Sequence, residues 1–279
     1  MDILILFVNT LLLRPYVFVF LAAALFCAHR LIDWRRTSWL LGSASLTSFL
    51  CEYASTRTGV PFGWYDYPGS TADRELYLLN IPFIVPISFS FLLFASYCFA
   101  LFFLLPARPP QHSDRSFRWP DLAFPVEART SRAVFGLTVL FAILIDMVID
   151  PVALRGDRWF LGQLYRYGEP GLHFGVPITN YIGWIVMASI SLALYFPMDR
   201  HLPSPNLRPD RVVTEPVLLG CGLYYGVLAF NLAVTFWIGE LWLGLTGLLL
   251  YLPITALFLL RLLDRLPAAL PSEKPQPDA

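Results

Sequence analysis

Apolar residues run through this chain in blocks of about twenty, separated by short stretches rich in Gly, Pro, Arg and aromatic residues. A bilayer core of about 30 Å takes about 20 apolar residues per helix. The blocks predict helices near 15–32, 38–56, 81–105, 133–152, 177–197, 212–238 and 241–260. A further run, Ile3 to Leu13, is too short to cross alone and is interrupted by Arg14-Pro15. It reads as an interfacial segment or the first half of a broken helix. It does not read as a cleaved signal peptide, because its leading residues hold Asp2 and no positive charge. The expected fold is all-α: a polytopic membrane bundle of about seven transmembrane helices with an extra N-terminal apolar segment. Residues 1–266 form one transmembrane domain and 267–279 a disordered cytoplasmic tail. No sheet and no internal repeat is expected.

Composition agrees with this pattern. Of the 279 residues 57% are apolar and 14% charged, with mean hydropathy +0.60. Soluble domains carry about 25% charged residues and about 45–50% apolar ones. The formal net charge is zero, so a basic footprint for nucleic acid is missing. Fourteen of the 20 Lys and Arg residues fall on one side of the seven-helix arrangement and six on the other. The richer side is cytoplasmic by the positive-inside rule, and it includes the C-terminus. The cysteines, Cys27, Cys51, Cys98 and Cys221, sit singly in apolar runs and read as core thiols. The four histidines have no metal-ligand spacing, and no nucleotide-binding or serine-nucleophile motif occurs.

Charges within membrane spans are costly and mark function by default. The polar residues at depth are Glu52, Asp146, Asp150, Asn180, Asn231 and Glu240. In the orientation above all of them fall in the extracytoplasmic half. Asp146 and Asp150 are four apart on one helix face. Two such carboxyls repel, which suits an acid and a base side by side. The bland alternatives are specific. Asp150 caps its turn or pairs with Arg155 or Arg158, Glu52 pairs with Arg57, and Asn180 merely starts its helix. The loops at 57–80 and 153–176 lie on the same side and are rich in Gly, Pro, Trp and Tyr. An aromatic belt accounts for single residues such as Trp159. It accounts less well for Phe62, Trp64, Tyr65 and Tyr67 clustered beside Gly59, Pro61 and Gly63.

Two stretches carry a more specific signal. The first is Glu52 to Tyr67, EYASTRTGVPFGWYDY, matching E…TG-x-PFG-x-Y-x-Y through Glu52, Thr58, Gly59, Pro61, Phe62, Gly63, Tyr65 and Tyr67. The second is Asp146 to Trp184, with DPV at Asp150, Pro151 and Val152, and GVP-x2-N-x-x-GW at Gly175, Val176, Pro177, Asn180, Gly183 and Trp184. Together they resemble the carotenoid biosynthesis family of membrane proteins that includes the carotenoid 1′,2′-hydratases. Between the segments the chain departs from the family's W-x-W and Tyr pair, with Trp159-Phe160 and His173-Phe174. The resemblance implies addition of water to the terminal double bond of an acyclic carotenoid end group.

That chemistry asks for a proton donor, a carboxylate to deprotonate water and electron-rich faces for a tertiary cation. Glu52, Asp146 and Asp150 are the catalytic candidates. Phe62, Trp64, Tyr65, Tyr67, His173, Asn180, Trp184, Asn231 and Glu240 are the candidates for binding substrate or water. No cofactor or metal is called for. The expected partners are a carotenoid drawn from the bilayer, the lipid membrane and other carotenoid-pathway enzymes, in a bacterial inner membrane. Three rivals stand beside the hydratase. An end-group cyclase differs only in how the cation is quenched. An intramembrane prenyltransferase would hold a Mg²⁺-diphosphate on D-x3-D, but needs a second acidic motif with basic neighbours. A non-catalytic scaffold or transporter would also bury polar groups, but a transport path runs through both halves, and the cytoplasmic half reads as nearly uncharged.

Overall fold

The structure is a computed structural model and describes residues 3–107, 119–203 and 211–263. The helices are α1 (Ile3–Leu13), α2 (Pro15–Thr58), α3 (Ile84–Leu104), α4 (Val126–Arg129), α5 (Arg132–Ala153), α6 (Ile178–His201), α7 (Thr214–Trp237) and α8 (Leu241–Leu262). Counting α4 and α5 as one run, six helices among the described residues are long and apolar enough to cross a membrane. The tail at 267–279 lies outside the described residues.

The difference between six helices and seven predicted crossings is α2. It has 44 residues, about twice what one crossing takes. Its regular dihedrals break at Asp33, at φ 69° and ψ 168°. That region is essentially reserved for glycine and costs another residue roughly 1–3 kcal/mol. Asp33 offsets the strain by capping the second arm. Its Oδ1 accepts from Arg36 N at 3.0 Å, and its Oδ2 pairs with Arg36 Nη1 at 2.8 Å. The contacts show that the chain doubles back here. Arg14, before the first arm, meets Glu75 and the Leu161 carbonyl. Arg36 meets Asp199 near the end of α6. Glu52, late in the second arm, is back beside the loop that follows α2. The two arms with α3, α5, α6, α7 and α8 make the seven segments the apolar blocks predict.

α3 is the central helix, buried continuously from Phe89 to Phe102, as befits a helix that is apolar all round. α8 is peripheral and exposes Leu249 and Leu252. α1 lies at the same end as the loop after α2. Phe7 packs edge-on against Phe18 and Phe83, and Thr10 Oγ1 accepts from Leu76 N at 2.7 Å. All four cysteines are buried and free.

Two expectations need correction. Short ladders do form: β1 (Tyr65–Asp66) pairs with β4 (Arg166–Tyr167), and β2 (Tyr77–Leu78) with β3 (Ile81–Pro82), both antiparallel. The end opposite these loops is also not uncharged. Asp199 is buried there between Arg36 and Arg129, at 2.5 and 2.8 Å. α6 runs past the predicted residue 197 to His201, which brings Asp199 inside the bundle. The cluster is closed on itself, since Arg129 also donates to the Phe124 carbonyl.

Candidate active site

The β1–β4 ladder joins the two loops that the sequence singles out. Tyr65 stands opposite Tyr167 and Asp66 opposite Arg166, whose Nε lies 3.1 Å from the Asp66 carboxylate. Each strand belongs to a Tyr-x-Tyr segment, and each segment grips one carboxyl. Tyr65 and Tyr67 both donate to Glu52 Oε2, the latter at 2.7 Å. Tyr165 donates to Asp150 Oδ1 at 2.6 Å and Tyr167 to Asp150 Oδ2 at 3.2 Å. The four rings pack edge-on, with centroids 5.6 to 6.3 Å apart. Burial first, and then the carboxyl each one faces, push all four phenols above their ordinary range. They therefore stay protonated and serve as fixed donors.

One turn deeper on each helix sits a second polar residue. Ser48 precedes Glu52 by four on α2, and Asp146 precedes Asp150 by four on α5, so each pair shares a face. Asn180, in the first turn of α6, spends both hydrogens of its amide nitrogen on the α5 pair. It reaches Asp146 Oδ2 at 2.9 Å and Asp150 Oδ2 at 2.7 Å. The positive end of the α6 dipole points the same way. Asp146 Oδ1 and Ser48 Oγ are buried and make no hydrogen bond among the described residues.

These groups line one cavity of about 170 Å³. An apolar cavity of about 150 Å³ holds a benzene molecule, so this one accommodates a small branched hydrocarbon end. Tyr16 and Phe20 line it from the first arm of α2, Phe89 and Phe91 from α3, Trp184 and Met187 from α6, and Phe230 and Asn231 from α7. Among the described residues no Arg, Lys or His lines it. Local chain geometry sets the walls. Gly59 ends α2 in the left-handed region, with its N–H on the Ser55 carbonyl at 2.9 Å. Ser55 Oγ accepts from Phe62 N at 3.0 Å. The Phe62 ring then lies against Gly183, where a Cβ would stand 2.1 Å from it.

Of the sequence candidates, Glu52, Phe62, Tyr65, Tyr67, Asp146, Asp150, Asn180, Trp184 and Asn231 come together on this cavity. Three do not. Trp64 is exposed and covers Gly59 from outside. His173 packs edge-on against Phe174 and Tyr181, with Nε2 3.1 Å from the Met147 carbonyl. Glu240 faces away and binds Arg155, at 3.1 Å, and Arg158. The bland pairings fail as well, since Arg57 reaches Tyr53 and Asn80 rather than Glu52. Ser48, Tyr165 and Tyr167 were not among the candidates. The tyrosines had a signal, because Tyr-x-Tyr recurs in the loop after each carboxyl-bearing helix. In that local sense a repeat exists where none was expected.

The sequence model described as "Carotenoid biosynthesis protein" matches residues 13–253. A curated relative, the bisanhydrobacterioruberin hydratase of Haloarcula japonica, is 28% identical over 220 residues, which cover 76% of this chain. The match spans 65% of that relative's length. No solved structure matches the chain.

Proposed function

The chain belongs to the carotenoid biosynthesis protein family, and we propose that it is a hydratase adding water across the terminal double bond of an acyclic carotenoid end group. The observation that carries this reading is the cavity: three carboxyls on two helices face an aromatic-walled space the size of one end group. In the proposed reaction a carboxylic acid gives its proton to the less substituted alkene carbon, and the π pair becomes the new C–H bond. The tertiary cation left behind is stabilised by the faces of Trp184, Tyr65 and neighbouring rings. A water oxygen closes on the cation, and its surplus proton passes to a second carboxylate. The net change is alkene plus water to tertiary alcohol, with the enzyme's proton count restored. The rest of the polyene lies among the lipids, and the protein sits in the bacterial inner membrane with its C-terminus in the cytoplasm.

The prenyltransferase reading is weakened because, among the described residues, no cationic side chain lines the cavity to hold a diphosphate. The Arg residues of the loop that follows α5 are engaged elsewhere, Arg155 and Arg158 with Glu240 and Arg166 with Asp66. Expression in a lycopene-accumulating bacterium, followed by mass analysis of the pigments, tests the reading. Gain of one water supports hydration. Unchanged mass with shifted absorbance supports a cyclase, and gain of an isoprene unit a prenyltransferase.

A further inference from the structure

Ser48 departs from the usual hydrogen-bonding pattern of a buried helical serine. A Ser or Thr inside an apolar helix ordinarily bonds the carbonyl three or four residues back. Ser43, Thr56, Ser96, Thr138 and Ser191 all do so. Ser48 is fully buried, lines the cavity and bonds to nothing among the described residues. A buried hydroxyl without a partner costs about 1–3 kcal/mol, so its orientation calls for a ligand atom in the cavity. A second orphan, Asp146 Oδ1, is buried on the α5 side of the same space. The oxygens of Asp150 are occupied by tyrosines and Asn180. Asp146 Oδ2 is held by Asn180.

We propose that Ser48 Oγ and Asp146 Oδ1 form the seat of the nucleophilic water, a site that rests on the hydratase reading. A water there donates one hydrogen to the Asp146 carboxylate, is held by the Ser48 hydroxyl and keeps a lone pair for the cation. When the C–O bond forms, the surplus proton passes to Asp146. That leaves Glu52, whose two tyrosine bonds both fall on Oε2, to protonate the alkene from its other oxygen. Ser48 is then a binding residue for the attacking water, and it divides cation capture from cation relapse. Without the seat, the cation loses a C–H proton to a carboxylate and an alkene returns.

The test compares wild type with Ser48→Thr, Ser48→Ala and Ser48→Val in membranes supplied with lycopene in D2O, normalised to inserted protein. Thr keeps the hydroxyl, Val matches Thr in shape without it, and Ala is the milder change if Val packs badly. Hydrated product should persist in the Thr variant and fall about ten-fold or more in Ala and Val, the scale of one lost hydrogen bond. Recovered carotenoid from Ala and Val should carry more deuterium than from wild type, because protonation continues without capture. Equal hydration by Thr, Ala and Val would overturn the seat and leave the hydratase reading intact. Loss in all three variants without deuterium in the substrate would assign Ser48 to packing and also overturn it. A wild type that adds no water removes both.

Discussion

Tyr65 and Tyr167 face each other across a two-residue ladder, their ring centroids 5.9 Å apart, and each hydroxyl reaches a different carboxyl. Tyr65 holds Glu52 from α2, and Tyr167 holds Asp150 from α5. Two loops separated by a hundred residues thereby fix the spacing of two helix ends. Phenylalanine at Tyr67 or Tyr165 removes one donor and keeps the ring. A hydrogen bond to a charged group contributes about 1.5–3 kcal/mol. Each variant should insert normally and hydrate roughly ten- to a hundred-fold more slowly, read as product per unit of inserted protein.

Replacing a carboxyl by its amide preserves shape and removes the exchangeable proton. Glu52→Gln and Asp146→Asn should each lower hydration by about 10²–10⁴-fold, the usual scale of general acid–base catalysis. Asp150→Asn should cost less, since Asp150 is already saturated by tyrosines and Asn180 and acts mainly on its neighbour's position. Near-wild-type turnover by both Glu52→Gln and Asp146→Asn would refute the carboxyl mechanism.

Arg14 and Glu75 form a fully buried pair at 2.9 Å, and Arg14 also donates to the Leu161 carbonyl at 2.6 Å. Removing one partner strands a buried charge, at about 3–5 kcal/mol. Arg14→Met and Glu75→Gln should each lower the thermal midpoint in lipid nanodiscs clearly. The double variant should recover part of the loss, which a double-mutant cycle measures.

Acid should loosen the turn before α8. Burial alone would raise Glu240, but the hydrogen bonds and charges of Arg158 and Arg155 outweigh it and hold the carboxyl below its ordinary value. A group whose folded value is depressed contributes stability above its unfolded value and loses it as pH falls through the folded one. The tether is therefore intact at neutrality and is lost only as pH falls below the ordinary glutamate range. Hydrogen exchange at 154–160 should rise there in wild type. In Glu240→Gln it should already be raised at neutral pH.

Reporter fusions after Gly168 and after Asn206 should report opposite sides of the membrane, with the second cytoplasmic. The same side for both would dismantle the orientation drawn from loop charge.

Most of the bundle was legible because long apolar blocks leave little choice between helix and loop. The boundaries of α3, α5, α7 and α8 fall within three residues of the pattern. The reversal between residues 32 and 38 was legible in the same way, but its tightness was not, since a turn made by a single aspartate in a glycine-like conformation has no sequence signature. The carboxyl cluster was legible because charge is rare at depth. Glu240 belonged to the same set on that criterion, yet its partners Arg155 and Arg158 come from a loop far along the chain, and only folding brings them to it. Ser48 was invisible for the opposite reason. Serines in apolar helices usually satisfy themselves, and only the fold shows that Ser48 is buried against the cavity without a partner among the described residues.

The one-residue reversal at Asp33 makes the two arms of α2 a pair of rulers. Both are counted from the same point, and both must present a face to the same cavity, Tyr16 and Phe20 on one and Ser48 and Glu52 on the other. Each residue added to or removed from an arm turns the face beyond it by about 100°, and no intervening loop can absorb the error. Insertions and deletions should thus be tolerated after α3 and α6, where connectors separate the helices, and be almost forbidden between Tyr16 and Glu52. A deletion scan through this hairpin would see the cavity as a matter of length before it saw it as a matter of chemistry.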